Sequence, residues 1–394
     1  MSELFWNNQS TSQQEEYINL LSILGSLSHL FSDNKSPYLY YRGHENLFCE
    51  VFNAKNLSRG DISYDSIKDG VGVGLKTFLN NNGRTFQKVA EFNSDSDILR
   101  GFTVDEDIIY KVAELRNKRI ITTQNMTDSH TSIYHLVTRE PGLMNIIEAP
   151  MHLIDIDSIK IPKTQAKNTL KFADKYNQYS FSLSKNTLMQ RFDTSKNQII
   201  TQFPVKILEN PFDLLRSLHS EPVLVPLDGS ESSGEAIILP LYSPRDNNVP
   251  VGSGLNQWNA RGRKRDPDEV YIPIPAWIHD VFSDFFVYSR ERSHRNESPK
   301  DYPSFTVELP NGKTLSCKVA QQGGKALMSN PNKALGKWIL RDVLKLKPGT
   351  ILTLNTLNEL NIDSVKLTKK NDDYYYLDFV ESGSYIEFEE NNNV

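Results

Sequence analysis

Beyond about residue 215 the apolar residues of this chain come in short bursts, PVLVPL, AIILPLYS, YIPIP, SFTVELP, KTLSCKVA, SVKLT and YYYLDF, separated by Gly, Pro, Asn and Asp. Apolar runs of that length bounded by turn residues predict strands, and the Asn-Gly of LPNGK predicts a tight hairpin. The expectation is a mostly β, barrel-like domain interrupted by a helix at KALGKWILRDVL. Before that point the pattern differs. QQEEYINLLSILGSLSHLF, residues 13–31, has helical spacing, and so do GHENLFCEVFNA and FTVDEDIIYKVAELRNKR. Between them lie strand candidates in VGVGLKTFL, SIYHLVTRE and NIIEAPMHLIDI, and YSFSLSKNTLMQRF alternates as a hairpin does.

A chain of 394 residues exceeds one ordinary core. The fold class expected is therefore α+β: a mixed α/β domain over 1–215 followed by a mostly β, barrel-like domain over 216–394. DGSESSGE, residues 228–235, reads either as the linker or as a loop of the second domain. The last residues, EFEENNNV, read as an acidic, Asn-rich tail. No apolar run approaches the ~20 residues that span a bilayer, and MSELFWNNQSTSQQEE lacks the basic start and apolar core of a signal peptide, so the expected location is the cytoplasm. Cys49 and Cys317 lie far apart without companion ligands and read as small buried hydrophobes.

Net charge is −5, yet its distribution is uneven: residues 251–350 hold sixteen Lys and Arg against ten Asp and Glu. A local basic face binds polyanions whatever the whole-chain charge, because salt confines the field to roughly 10 Å. The concentration is densest in SGLNQWNARGRKRDPDEVYIP, residues 253–273, where Arg261, Arg263, Lys264 and Arg265 follow Asn256, Gln257, Trp258 and Asn259. Four cations in five residues must face solvent or an anion. The amides and indole beside them are side chains that read base edges or stack on bases. A solvated basic loop is the competing reading.

The ordered strings PLYSPRDNNVPVGSGLNQWNARGRKRDPDEVYIPIPAWIHDVFSDFF, KVAQQGGKALMSNPNKALGKWILRDVL and IDSVKLTKKNDDYYYLDF resemble the C-terminal region of NgoFVII-type restriction endonucleases. That region is similar to the DNA-recognition pseudobarrel of BfiI, EcoRII and plant transcription factors, and the resemblance covers roughly residues 236–380. It implies two arms that grip the major groove, supplied by the 256–265 and 321–337 segments. Chemistry within the second arm singles out Gln321, Gln322, Lys325, Asn330, Asn332, Lys333 and Lys337 beside Gly323 and Gly324. SNPN serves equally as a cap for the following helix. Trp277 and Trp338, among apolar neighbours, read as core.

NgoFVII-type enzymes carry a phospholipase D-like nuclease at the other end, signed by His-x-Lys and a downstream Asp. Residues 1–215 contain no His-x-Lys, so a different nuclease is required. DISYDSIKDGVGVGLKTFL, residues 61–79, places a carboxylate at a turn before a short apolar strand ending in Lys, and resembles the MutH-like branch of the PD-(D/E)XK nucleases. There acidic oxygens hold Mg2+ against the scissile phosphate while a lysine orients or deprotonates the water. The resemblance makes Asp65 the first acid, with Asp61 its competitor, and Lys76 the lysine. The sequence departs from the pattern at Gly74, where an acid is expected. Glu91 and Glu45 are the candidate replacements for the second metal ligand, and Gln87 and Lys88 possible further donors. His44, His130, His135 and His152 are scattered, without a hydrolase elbow or a His-Glu-x-x-His helix, and GVGVGLK is not a phosphate loop. His44 reads as a structural histidine.

The function expected is that of a type II restriction endonuclease dependent on Mg2+, acting on duplex DNA as a homodimer, with a cognate methyltransferase as its companion. The alternatives are a modification-dependent endonuclease and a non-catalytic DNA-binding protein.

Overall fold

The computed structural model describes residues 5–57, 62–80, 83–219, 235–287 and 303–392. Among them no helix is long and apolar enough to cross a membrane. The chain divides into two compact units, Met1–Gln124 with Ser129–Val225, and Pro226–Val394 with Asn125–Asp128. The division falls ten residues beyond the expected 215/216 boundary, because helix α5 (Pro211–His219) runs across that point. Most of DGSESSGE lies outside the described residues.

In the first unit α1 (Thr11–Ser26) starts on a capping box: Ser10 Oγ accepts the Gln13 amide at 3.3 Å while the Gln13 side chain accepts the Ser10 amide. With α2 (Tyr41–Phe52) it covers one face of a six-stranded sheet in the order β1-β2-β3-β5-β6-β10. The strands are β1 (Lys55–Asn56), β2 (Ser66–Lys68), β3 (Val71–Leu79), β5 (Thr131–Glu140), β6 (Leu143–Pro150) and β10 (Thr201–Pro204). Tyr17, Leu21, Phe48 and Phe52 from the helices pack on Val73, Leu75, Val137 and Ile146 of the sheet, each large side chain stabilising the fold by about 1.5–3 kcal/mol. β3 and β5 are parallel, so the chain between them must cross over, and it does so through the short α3 (Ser96–Arg100) and the long α4 (Asp105–Thr127). Ile120 of α4 packs on the opposite face, with Phe78, Tyr134 and Leu136. A second sheet, β4-β9-β8-β7, made of β4 (Arg84–Glu91), β7 (Thr169–Ala173), β8 (Gln178–Ser182) and β9 (Thr187–Asp193), packs on Ile108, Ile109, Val112 and Leu115 of α4. The hairpin read in YSFSLSKNTLMQRF is β8–β9.

Beneath α1 and α2 lies a polar chain that the sequence did not announce. Glu148 accepts the Trp6 amide and the Nδ1 proton of His135 at 3.0 Å, and the Tyr17 hydroxyl bridges the Nε2 atoms of His135 (3.2 Å) and His44 (2.7 Å). All four side chains are buried. Their mutual hydrogen bonds satisfy what would otherwise be several unpaired polar groups in the core. His44 is thus the structural histidine expected. Burial, then the neighbouring His135 and Arg139, holds its pKa down at about 3. A histidine with a folded pKa below the unfolded value of about 6.5 stabilises the fold fully above pH 6.5 and progressively less as pH falls toward 3. Across that window unfolding stability should fall by up to about 1.4 kcal/mol per pH unit from this group. Denaturant titrations of wild type and His44→Gln between pH 4 and 7 check it, and equal acid slopes would remove His44 as the cause.

The second unit is one seven-stranded sheet, β11-β16-β17-β13-β14-β15-β12, whose terminal strands β11 (Ala236–Pro240) and β12 (Ile272–Pro273) approach one another and nearly close a barrel. The others are β13 (Ser304–Glu308), β14 (Thr314–Ala320), β15 (Ala326–Ser329), β16 (Ser364–Asn371) and β17 (Tyr374–Val380), with β13 and β17 parallel. LPNGK makes the β13–β14 turn: Gly312 takes φ +79°, and Asn311 Oδ1 accepts the Lys313 amide at 3.1 Å. Helix α6 (Ala276–Val281) follows β12, and KALGKWILRDVL forms α7 (Ala334–Gly336), continued as a π-helix over Lys337–Val343. Trp338 is core, as expected, whereas Trp277 is half-buried and donates to the Tyr385 hydroxyl at 3.0 Å. After α8 (Leu354–Glu359) comes α9 (Ser384–Asn391), which takes in the first residues of EFEENNNV. Buried Tyr385 docks this helix through Trp277. Cys49 and Cys317 are free and buried.

Candidate nuclease site and nucleic-acid interface

β2 pairs with β3 only over Val71–Val73, so among the described residues β3 has no strand partner on that side from Gly74 onward. Asp65, just before β2, bonds to β3 itself: its amide donates to Val73 O at 3.0 Å and its Oδ2 accepts the Leu75 amide at 2.6 Å. Lys76 is the next residue. Side chains alternate along a strand. Val73 and Leu75 belong to the α1–α2 face and Phe78 to the α4 face, so Lys76 leaves β3 on the α4 side. Glu45 arrives from the other face, on α2, buried and paired with Arg42 at 3.0 Å. Cys49, one turn further along α2, has its thiol pushed up to about 12 by burial and then by the charges of Asp65 and Glu45. Asp65 thus stands at the strand edge, Glu45 on the α2 side of the sheet, and Lys76 leaves β3 on the opposite side.

Gly74 has a steric cause. A Cβ there would lie 2.8 Å from Met151 Cε and 3.0 Å from Tyr134 Cδ1, so the position where an acid was expected is an apolar packing contact. Glu91 does not join the group. It ends β4 in the second sheet, is exposed, and pairs with Lys88 at 3.2 Å. Gln87 lies on the same strand. Asp61 falls outside the described residues. No cluster of three or more His, Cys, Asp or Glu occurs among the described residues. Mg2+ asks for less: one or two carboxylates, with water and substrate phosphate completing its octahedron. Glu45, already paired with Arg42, and Asp65 are carboxylates of that number.

In the second unit the basic segment forms the connection between β11 and β12, and the other expected arm joins β14 to β15 and α7. Asn256, expected at a base edge, is fully buried instead. Its amide donates to Leu352 O and accepts from Leu352 N, both at 2.9 Å, which pins the root of the arm to the chain after α7. Trp258 is half-buried with its indole N–H enclosed and without a hydrogen-bond partner, and exposed Asn259 donates to Val251 O at 3.1 Å. Arg261 and Lys264 are exposed. Arg263 is not a free cation, because it forks onto Glu269 at 2.6 and 3.2 Å, and Arg265 folds back onto Ala260 O at 2.9 Å. Those contacts shape the arm, leaving fewer charges available than the sequence count implied.

The second arm keeps more of its donors. Gln322, Lys325, Asn330, Asn332, Lys333 and Lys337 are all exposed, while Gln321 is half-buried with φ +64°. Capping and exposure are divided between neighbours in SNPN. Buried Ser329 accepts the Leu335 amide at 2.9 Å and caps α7, which leaves both asparagines to solvent. Gly324 is held by His279 Nε2 against its carbonyl at 2.9 Å. The two arms meet at their bases. Arg341 donates to Asp268 Oδ1 at 2.7 Å and to Pro267 O at 2.8 Å, and Lys333 lies 3.8 Å from Asp266. Arg245, exposed in the β11–β12 connection, is a further cation that the sequence reading passed over although it sits in PLYSPRDNN.

Residues 237–371, from β11 to the end of β16, match the family model of the NgoFVII C-terminal B3-like DNA-binding domain. No curated protein matches the chain. The β-barrel unit therefore carries the B3-like DNA-binding domain that the sequence led us to expect, of the kind found in a restriction enzyme, and DNA is its partner.

Proposed function

We propose that the protein is a type II restriction endonuclease, in which the first unit hydrolyses phosphodiester bonds of duplex DNA at a short site found by the second. The observation that carries this reading is the anchoring of Asp65 on β3 through the Leu75 amide, one residue before Lys76, in a chain that also holds a DNA-binding domain. Glu45 and Asp65 would hold Mg2+, which when bound polarises the scissile phosphate and lowers the pKa of a bound water. Lys76, the residue after the Leu75 amide that anchors Asp65, would bind a phosphate oxygen and orient the attacking water. Asp65, fixed by that amide, keeps one carboxylate oxygen free for the metal. Cutting both strands calls for two such sites, hence a homodimer on DNA. A methyltransferase of the same specificity would protect the host chromosome, and both would act in the cytoplasm.

One observation favours the non-catalytic alternative, a DNA-binding protein without turnover: the packed Gly74 position, which removes one acid from the pattern. Incubation of the full-length protein with methylated and unmethylated plasmid, with and without Mg2+, separates the readings. Fragments from unmethylated DNA only with Mg2+ are expected. Cutting confined to methylated DNA would establish the modification-dependent rival, and no cutting of either plasmid the non-catalytic one.

The arm geometry gives a second test. Arg261→Ala and Lys264→Ala should each flatten the log–log salt dependence of DNA binding by about one unit, on specific and nonspecific duplexes alike. Arg263→Ala should flatten it less, because Glu269 already holds that guanidinium. Titrations at several salt concentrations decide this, and unchanged slopes for Arg261 and Lys264 would make the segment a solvated loop.

A further inference from the structure

At the far end of β3 a cavity of about 260 Å³ opens between the α1–α2 loop and the ends of β3 and β5. Its polar lining is Lys35, Arg139, Ser32, Ser36, Asn34 and Tyr38, and Leu79 closes the remaining side. Two cations, three hydroxyls and an amide are donors, and no carboxylate lines it. The nearest acid in sequence to Arg139 is engaged elsewhere: Glu140 accepts from Asn145 at 2.9 Å and from Gln202 at 3.4 Å. Arg139 donates Nη1 to Pro37 O at 3.0 Å, while its Nε is enclosed without a hydrogen-bond partner. Burial also lowers its pKa from the usual arginine value. A partly desolvated guanidinium beside Lys35 and neutral donors, with no carboxylate in the lining and exposed Asp33 on the same loop outside it, is a site for an anion.

We propose that this cavity binds a backbone phosphate of the DNA strand, a short distance along from the one cleaved. The DNA origin of the phosphate rests on the nuclease reading of β3, whereas the anion chemistry does not. Leu79 lies three residues beyond Lys76, about 10 Å at 3.3 Å per residue, which matches the axial rise of about three nucleotides at 3.4 Å each. The same loop exposes aromatic faces. Phe31 is 67% exposed against Tyr38, and half-exposed Tyr40 and Tyr41 pair at 4.7 Å with Arg42 over the second ring. Such rings suit bases or sugars adjacent to a held phosphate.

The test uses the full-length protein with Lys35→Gln, Arg139→Gln and the double variant. Lys35 is exposed, so its variant remains informative where loss of the Pro37 contact hinders folding of the other. Two readouts are needed. In the absence of Mg2+, binding to a 30-base-pair duplex across a salt series should show a slope flatter by about one unit in the double variant. At fixed ionic strength, inorganic phosphate should raise the thermal midpoint of the wild type and not that of the variants. Both results together support the proposal. Protection by phosphate with an unchanged DNA slope would mean a free-anion site and overturn the DNA assignment, and neither effect would overturn the site altogether. Failure of the wild type to cleave would remove the nuclease reading while leaving both of these measurements standing.

Discussion

Lys76→Ala is expected to slow Mg2+-dependent DNA cleavage by about 10²- to 10⁴-fold, the range set by losing a single positioned proton-transfer or phosphate-orienting group. Equilibrium binding to DNA should stay within a few-fold of wild type, because the DNA-binding domain lies in the β-barrel unit and Lys76 would be one phosphate contact among several. That separation of rate from binding is what a residue touching only the scissile phosphate gives. Glu45→Gln and Asp65→Asn should fail in the same way, and should also shift the Mg2+ concentration needed for half-maximal rate. Glu91→Gln should leave both parameters unchanged, since Glu91 stands in the second sheet and pairs with Lys88. Single-turnover cleavage over a Mg2+ series measures all four. Wild-type rates from Lys76→Ala would sink the assignment of the site, and loss of metal-dependent turnover in Glu91→Gln would move the second ligand to β4.

These variants also mark how far the sequence could be read. The Lys76 strand, both helices that cover it and the β5 partner follow from local pattern: apolar spacing of 3.6 or alternation, ended by Gly, Asn or Asp. LPNGK is legible for the same reason, its turn geometry being a property of two adjacent residues. Long-range geometry is not carried by such patterns. Nothing local to Gly74 says that Met151 and Tyr134 will close over it, and nothing in QKVAEF says that Glu91 belongs to another sheet. Asn256 is the clearest case. Beside Trp258 and four cations it has the composition of a reading residue, yet a residue 96 positions away, Leu352, takes both ends of its amide. Glu148, His135, Tyr17 and His44 come from four elements, so their chain of hydrogen bonds had no sequence signal at all. By contrast, the barrel domain was legible because its strings are long, ordered and similar to a known recognition domain.

Gly336→Ala is expected to destabilise the β-barrel unit by about 3 kcal/mol or more, at the upper end of overpacking costs. Gly336 has ordinary helical dihedrals, so its backbone would accept alanine. The obstacle is distance. An added Cβ would lie 2.0 Å from the Asp268 carbonyl oxygen and 2.8 Å from its carbon, and backbone cannot yield as the end of a side chain can. That carbonyl belongs to the segment which Arg341 fastens through Asp268 Oδ1 and Pro267 O, at the base of the first DNA arm. Relief of the clash must therefore move the arm relative to α7 and the second arm. Base recognition by the two proposed arms would depend on that spacing, whereas exposed Lys and Arg reach phosphates over a range of backbone positions. Specific binding should accordingly fall more than nonspecific binding, even under conditions where the variant remains folded. Gly43→Ala serves as the control: no atom lies within 4 Å of its added Cβ, and it should be neutral or slightly stabilising as a glycine inside a helix. Denaturant-dependent hydrogen exchange in β14 and β15, with paired titrations on specific and scrambled duplexes, reads both effects. Wild-type protection and an unchanged specificity ratio in Gly336→Ala would show that the arms are not held by this contact.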